Sequence, residues 1–122
     1  MSGLSKKARG NLSAARQLIN EKLTDPAMSR LYYSMFQAGI VCLERLGKTP
    51  NDFDSRTQKW THATICGNAS LLETTPSKKL GPLFQRARSL RERADYDPQP
   101  VNPIQVTDIL NEAMPFIERV CS

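Results

Sequence analysis

Apolar positions recur with the period of an α-helix along most of the chain, and the widest apolar arc falls within residues 27–46. At roughly 100° per residue, the apolar side chains of this segment cover more than half of the helix circumference: Met28, Leu31, Tyr32, Met35, Phe36, Ile40, Cys42, Leu43 and Leu46. Asp25 and Pro26 suit the start of this helix, and Gly47 suits its end. A helix with so wide an apolar arc should be covered by several neighbours, so we predict that it lies at the centre of a bundle.

Two further helices are predicted on either side of a polar loop. Residues 4–23 carry a single apolar stripe and a basic outer face, as an amphipathic helix does. Residues 47–54 are rich in Gly, Pro, Asn and Asp and predict a loop. Residues 55–72 fit a helix poorly, because Gly67 and several β-branched residues lower helix propensity. We therefore expect the third helix to be short or irregular.

The last third of the chain predicts two more helices. Pro82 should interrupt the backbone, which places a short turn or helix at residues 76–80 and a main helix at residues 82–95. Asn102, followed by proline, suits the cap of a final helix. No segment shows a convincing strand pattern. The predicted fold is all-α, an antiparallel four- to five-helix bundle in a single domain of residues 1–122.

The central helix keeps one polar edge. Arg30 and Gln37 are seven residues apart, so they lie on one line, two turns distant. A guanidinium and an amide at this place on a nearly buried helix belong either to a satisfied internal network or to the wall of a site. The sequence leaves both interpretations open.

Composition narrows the class of protein but not its function. The 122 residues, 39% of them hydrophobic and 24% charged, are enough for one soluble domain with its own core. Neither an apolar run long enough to cross a membrane nor a hydrophobic signal core is present. Three scattered cysteines without a CxxC pair predict free thiols in a reducing cytoplasm. The net charge of +5 permits nucleic acid or an acidic partner.

His62 is the single histidine of the chain and a candidate catalytic residue. No local cluster of His and Cys accompanies it, which argues against a metal site, and no cofactor motif is recognisable. Arg56 precedes His62 by six residues. In a metal-independent ribonuclease, a histidine moves protons near neutral pH and an arginine stabilises the charge of the phosphorane. The alternative is a lone histidine in a loop or at the surface.

A run of arginines marks the predicted fourth helix. Residues 86–95 hold four arginines and two carboxylates. Arg91 and Asp95 are four residues apart and can form an ordinary helix-stabilising pair. Alternatively, Arg88 and Arg91 beside the aromatic ring of Tyr96 suit a phosphate or a stacked base.

Two runs, with Gly47 and His62 between them, resemble a known family. The early run is SRLYYSMFQAG at residues 29–39 and the late run is LRERADYD at residues 90–97. Together they resemble the HEPN superfamily, and more narrowly its small stand-alone branch with SR-x-YY-x-x-F-x-A and R-x-x-A-D-Y patterns. The resemblance implies a five-helix bundle that tends to dimerise. It also implies a role in prokaryotic toxin–antitoxin, phage-defence or nucleotidyltransferase-linked modules.

The resemblance implies ribonuclease activity less directly, because many catalytic members carry an arginine followed after four to six residues by a histidine in a late helix. Here Asp95 and Tyr96 follow Arg91, and no histidine does. Gln37 stands where the early run often has a histidine. These departures favour a member without an intact ribonuclease motif.

Two functions therefore stay open. The first is a domain that binds RNA, a nucleotide or a protein partner, with a polar seam of binding or structural residues: Arg30, Gln37, Arg88, Arg91, Asp95 and Tyr96. The second is an endoribonuclease toxin that uses His62 with Arg56 or another nearby arginine. In either case we expect a homodimer, no cofactor and no membrane. A nucleotidyltransferase is a further candidate partner, with Tyr96 as its acceptor. Both functions require Arg30 and Arg91 to share one pocket or network.

Overall fold

The computed structural model describes residues 3–73 and 79–122, and helices dominate these residues. The helices are α1 (Leu4–Asn20), α2 (Thr24–Arg45), α3 (His62–Cys66), α4 (Leu80–Tyr96) and α5 (Pro103–Cys121). Single 3₁₀ turns occur at Pro50–Asp52 and Ala69–Leu71. The described residues include no strand, and the predicted all-α bundle is confirmed.

The central position predicted for residues 27–46 is confirmed, because α2 packs against all four other helices. Buried side chains lie on more than one face of α2: Met28, Leu31, Tyr32, Met35, Ala38, Ile40, Val41 and Leu43. The helices α1, α4 and α5 each bury one stripe against it, as amphipathic helices do. This core fixes which edges of α2 face each neighbour, and those edges carry the candidate site.

The boundary between α1 and α2 differs from the predicted one. Lys22 adopts a left-handed conformation with φ 63°, and its N–H donates to the carbonyl of Ile19 at 2.9 Å. The N–H of Leu23 reaches back to the carbonyl of Leu18 at 2.9 Å, which completes a Schellman end. Helix α1 therefore ends at Asn20 rather than at residue 23. The same geometry ends α2, with Gly47 at φ 78°, as its sequence predicted.

The start of α2 is bonded to the segment before α5. Asp25 was predicted to cap α2, but it lies within the first turn, and its carboxylate accepts a bond from the N–H of Val101 at 2.9 Å. The hydroxyl of Thr24 donates to the carbonyl of Val101 at 3.0 Å. Asn102 caps α5 as predicted, accepting from the N–H of Ile104 at 2.8 Å. These bonds hold the α4–α5 connection against the bundle.

The third helix is short, as expected, with only five residues in α3. It lies close to α2 at Gly39, where an added Cβ would be 2.8 Å from Cγ2 of Ile65. Real Cβ atoms do not approach so closely, so the glycine is what allows the two helices to meet here. This close contact places His62, the first residue of α3, beside α2.

The break predicted at Pro82 is wrong. Helix α4 begins at Leu80, so Pro82 lies in its first turn, where backbone N–H groups have no partner within the helix. The N–H of Leu80 instead donates to the carboxylate of Glu73 at 3.0 Å. Most of the turn predicted at 76–80 lies outside the described residues, since 74–78 are not among them.

Candidate functional site

Helices α2, α3 and α4 bring together a group of aromatic, amide and cationic side chains, which we call the α2–α4 cluster: Tyr32, Tyr33, His62, Gln85, Arg88 and Arg91. The hydroxyl of Tyr32 lies 2.8 Å from Nδ1 of His62. The two rings are also stacked, with centroids 6.0 Å apart and an interplanar angle of 21°. Thr61 caps α3 by accepting from the N–H of Thr64 at 3.2 Å, which fixes the backbone next to His62.

The neighbours of His62 determine its tautomer. Nε2 lies 3.4 Å from the amide oxygen of Gln85, which can accept a hydrogen bond but cannot donate one. Nε2 therefore carries the hydrogen, and Nδ1 accepts from Tyr32. Burial lowers the pKa of His62, and the positive charges of Arg88 and Arg91 lower it further, although the bond with Gln85 acts in the opposite direction. Burial also raises the pKa of Tyr32, so its hydroxyl remains protonated and can donate.

Arg91 joins α4 to α2. Its guanidinium carbon lies 4.8 Å from the ring centroid of Tyr32 and 5.7 Å from that of Tyr33, within the range of cation–π contacts. Nη1 donates to Asp95 at 3.3 Å, and the other oxygen of Asp95 accepts from the hydroxyl of Ser29 at 3.3 Å. The buried Nε of Arg91 has no hydrogen-bond partner among the described residues. The side chain keeps 22% exposure, so the guanidinium lies partly at the surface.

The outer side of the cluster is open to solvent. The side chain of Tyr33 is 45% exposed, next to Arg91. Arg88 is also exposed, and among residues 3–73 and 79–122 its one ion pair is with Glu92, at 3.2 Å along the same helix. An exposed aromatic ring next to the guanidinium of Arg91 suits a ligand that combines an anionic group with a flat ring.

Arg30 and Gln37 belong to a separate network that faces α1. The side-chain amide of Asn11 donates to Gln37 at 2.9 Å and accepts from Nη1 of Arg30 at 3.2 Å. The predicted seam that joins Arg30 to Arg91 is therefore wrong, and a site on this face can use only the α2–α4 cluster, to which Arg30 and Gln37 do not belong. Arg91 contacts the tyrosines of α2 and pairs with Asp95 on its own helix, whereas Arg30 donates to Asn11 of α1.

Arg56 does not join His62. It lies in the loop before α3, with a side chain that is 89% exposed and paired with Asp54 at 3.0 Å. The cations that lower the pKa of His62 are Arg88 and Arg91. The predicted Arg56–His62 pair is therefore corrected, because the regular helix begins only at His62 and Arg56 stays in a loop of its own.

Several site residues carried no decisive sequence signal. Gln85 is one polar residue among many on α4, and Tyr32 was counted only in the apolar arc of α2 and in the SR-x-YY run, with no role of its own. Asn11 could have been found, because it lies three residues after Ala8 and four before Ala15, in the buried stripe of α1. An amide at such a place needs a buried partner.

A comparison with known proteins matches the HEPN domain family over residues 1–122. The chain belongs to the HEPN family. This family is linked to ribonuclease and toxin–antitoxin roles. Neither the curated proteins nor the solved structures contain a match.

The described part of this HEPN domain holds no group of three or more His, Cys, Asp or Glu side chains that could bind a metal ion. Within residues 3–73 and 79–122, no helix is long and apolar enough to cross a membrane. Tyr96, one of the predicted binding residues, lies at the end of α4 and is 84% exposed.

His62 should make this HEPN domain less stable as the pH falls. Because burial and nearby arginines lower its pKa in the folded state, the unfolded state binds more protons between the folded pKa and the usual value of about 6.5. The unfolding free energy should thus fall as the pH drops below about 6.5 and level off below the folded pKa.

Urea unfolding at pH 7.5 and pH 5.5 tests this expectation on the wild type and His62→Gln. The wild type should lose more stability over this interval, since His62 is the only histidine. An equal loss in the two proteins would contradict it.

Proposed function

We propose that this HEPN domain binds single-stranded RNA at the α2–α4 cluster, within a prokaryotic toxin–antitoxin or defence-type module. The observation that carries the proposal is the exposed ring of Tyr33, 5.7 Å from the guanidinium of Arg91. Aromatic rings stack on unpaired bases, and arginines bind phosphates. A double helix keeps its bases stacked inside, so it would not use the ring in this way.

Charge supports the same proposal. A phosphate at Arg88 or Arg91 would compete with Glu92 and Asp95, but exposed ion pairs of this kind contribute only about 0–1 kcal/mol. Such competition is weak, and the net charge of +5 favours a polyanion. We expect modest affinity that falls as salt is added, with a slope of log affinity against log salt of about −0.7 for each phosphate contact.

Binding fits the cluster better than cleavage does. Both ring nitrogens of His62 are engaged, one by Tyr32 and the other by Gln85. A general base needs a free lone pair within reach of the hydroxyl that it deprotonates. Asp95, which stands after Arg91 where catalytic members have histidine, is held by Arg91 and Ser29.

Fluorescence anisotropy with a labelled single-stranded RNA tests the proposal. Arg88→Gln should weaken binding and reduce the slope of log affinity against log salt by about 0.7, the value for one lost phosphate contact. Arg16→Gln is the matched control, because Arg16 is an exposed arginine on α1, outside the cluster. Equal effects of the two variants, or tighter binding of double-stranded RNA, would overturn the proposal.

The alternative function is a metal-independent endoribonuclease that uses His62. One observation favours it: burial, with Arg88 and Arg91, lowers the pKa of His62 and so favours a neutral imidazole, which is the form a base requires. This activity would cleave RNA in the presence of EDTA and would be lost in His62→Ala. Under the main proposal, the wild type binds RNA and leaves it intact.

Within the proposed module, we expect this domain to form a homodimer and to be located in the cytoplasm. The high exposure of Tyr96 leaves its hydroxyl accessible to a partner nucleotidyltransferase, for which it is the candidate acceptor.

A further inference from the structure

A groove of about 310 Å³ lies where the last turns of α2 and α5 meet the 3₁₀ turn at Ala69–Leu71. We call it the α2–α5 groove, and six of its lining residues carry the argument: Arg45, Leu46, Leu71, Leu72, Arg119 and Val120. Cys42 also lines it and follows Tyr32 by ten residues, which is roughly 15 Å along α2. The groove is therefore separate from the α2–α4 cluster.

The apolar side of the groove is partly open to solvent. Leu72 and Val120 are buried and form its floor. Leu46 is 51% exposed and Leu71 is 42% exposed, and both line the same groove. A ligand with an aliphatic chain would remove both leucines from water, which is favourable.

The polar side of the groove is cationic. No ion pair among residues 3–73 and 79–122 includes Arg45 or Arg119. Nη1 of Arg45 donates to the backbone carbonyl of Val120, and Nη2 of Arg119 donates to that of Leu72 at 2.8 Å. A guanidinium has five N–H donors, so each arginine is fixed by one bond and keeps donors for an anion.

Both guanidinium groups act on the same thiol, so they lie close to each other. Burial raises the pKa of Cys42, and the positive charges of Arg119 and Arg45 both lower it. The carboxylate of Glu73 also lines the groove, but it accepts from the N–H of Leu80 at 3.0 Å and is tied to the start of α4. Two cations and one anion leave the groove positively charged, so it favours an anionic ligand.

We infer that the α2–α5 groove binds a short aliphatic carboxylate, such as a medium-chain fatty acid. The carboxylate accepts from Arg45 and Arg119, and the aliphatic chain covers Leu46 and Leu71. Guanidinium groups match the two oxygens of a carboxylate. A bare inorganic anion would leave the leucines in water. The volume lies near the lower limit of small-molecule sites, roughly 300–1,000 Å³, and suits a short chain rather than a long one.

Titration with octanoate, followed through the backbone amide shifts by NMR, tests this inference. The amides around the groove should shift, and affinity should rise by up to about fourfold for each CH₂ added from butanoate to octanoate. Arg119→Gln should weaken octanoate binding roughly tenfold or more. Arg16→Gln is the matched control and should bind octanoate as the wild type does.

A second variant leaves the backbone bonds of both arginines in place. Leu71→Ser should weaken octanoate binding about threefold or more, because it removes part of the apolar surface that the chain covers. Ile104→Ser is its control, since Ile104 is 69% exposed and lies outside the groove. Octanoate should also slow alkylation of Cys42 by iodoacetamide, and Cys66, outside the groove, should react at an unchanged rate.

Several results would overturn the inference. One is the absence of octanoate binding at millimolar concentration. Another is equal binding of octylamine, which would mean that the arginines do not select an anion, or of butanoate, which would mean that the chain is not recognised. A third is tighter binding of an acidic peptide than of octanoate, because the groove would then be a docking surface for a protein. RNA binding at the α2–α4 cluster does not depend on any of these outcomes.

Discussion

Replacing Arg91 with glutamine should weaken binding of single-stranded RNA by roughly tenfold or more, because hydrogen bonds to charged groups contribute about 1.5–3 kcal/mol. The substitution also removes the cation that lies 5.7 Å from the ring of Tyr33. The phosphate contact is thus lost, and the ring of Tyr33 loses the cation that packs beside it. Anisotropy with labelled RNA measures the affinity, and circular dichroism verifies that the helices persist.

Arg91→Lys separates charge from shape. Lysine keeps the positive charge but lacks the planar group that packs on an aromatic ring and binds phosphate through two N–H groups. Its affinity should lie between those of the wild type and Arg91→Gln, whereas Arg16→Gln should bind as the wild type does. If Arg91→Gln bound RNA with unchanged affinity, the α2–α4 cluster would not be the RNA site.

Gly39→Val should destabilise the domain by about 2 kcal/mol. Its Cβ would lie 2.8 Å from Cγ2 of Ile65 and 3.6 Å from Cζ of Phe84, and its two methyl groups need further space. Both neighbours are fully buried, so α3 must move away from α2. Valine forms helix better than glycine, but that gain of a few tenths of a kcal/mol is smaller than the cost of overpacking. Urea unfolding measures the difference.

Gly10→Val is the matched control, because Gly10 is exposed within α1 and an added Cβ there meets nothing within 4 Å. This variant should be as stable as the wild type or slightly more so. In Gly39→Val, the displaced α3 should also release His62, so its pKa measured by NMR should rise toward the ordinary value. Equal stability of the two variants would show that α3 does not depend on Gly39.

The candidate site was only partly predictable, because its residues come from three helices. Arg91 and Asp95 are four residues apart on one helix, so their pairing followed from local geometry. The contact between Tyr32 and His62 spans 30 residues, most of a helix and an irregular loop. No local pattern specifies how such a loop returns, so His62 was paired with the nearest preceding arginine rather than with α2.

The sequence by itself determined the helices, the central place of α2 and the family. Each of these depends on periodicity, on turn residues such as Gly47 or on short motifs, and all of them act over a few residues. Only the tertiary structure decided that Arg30 turns to Asn11 of α1 while Arg91 turns to the tyrosines of α2. The physical reason is that α2 is packed on all sides, so a polar residue on its edge can face any neighbour. Which neighbour it meets depends on how the whole core packs.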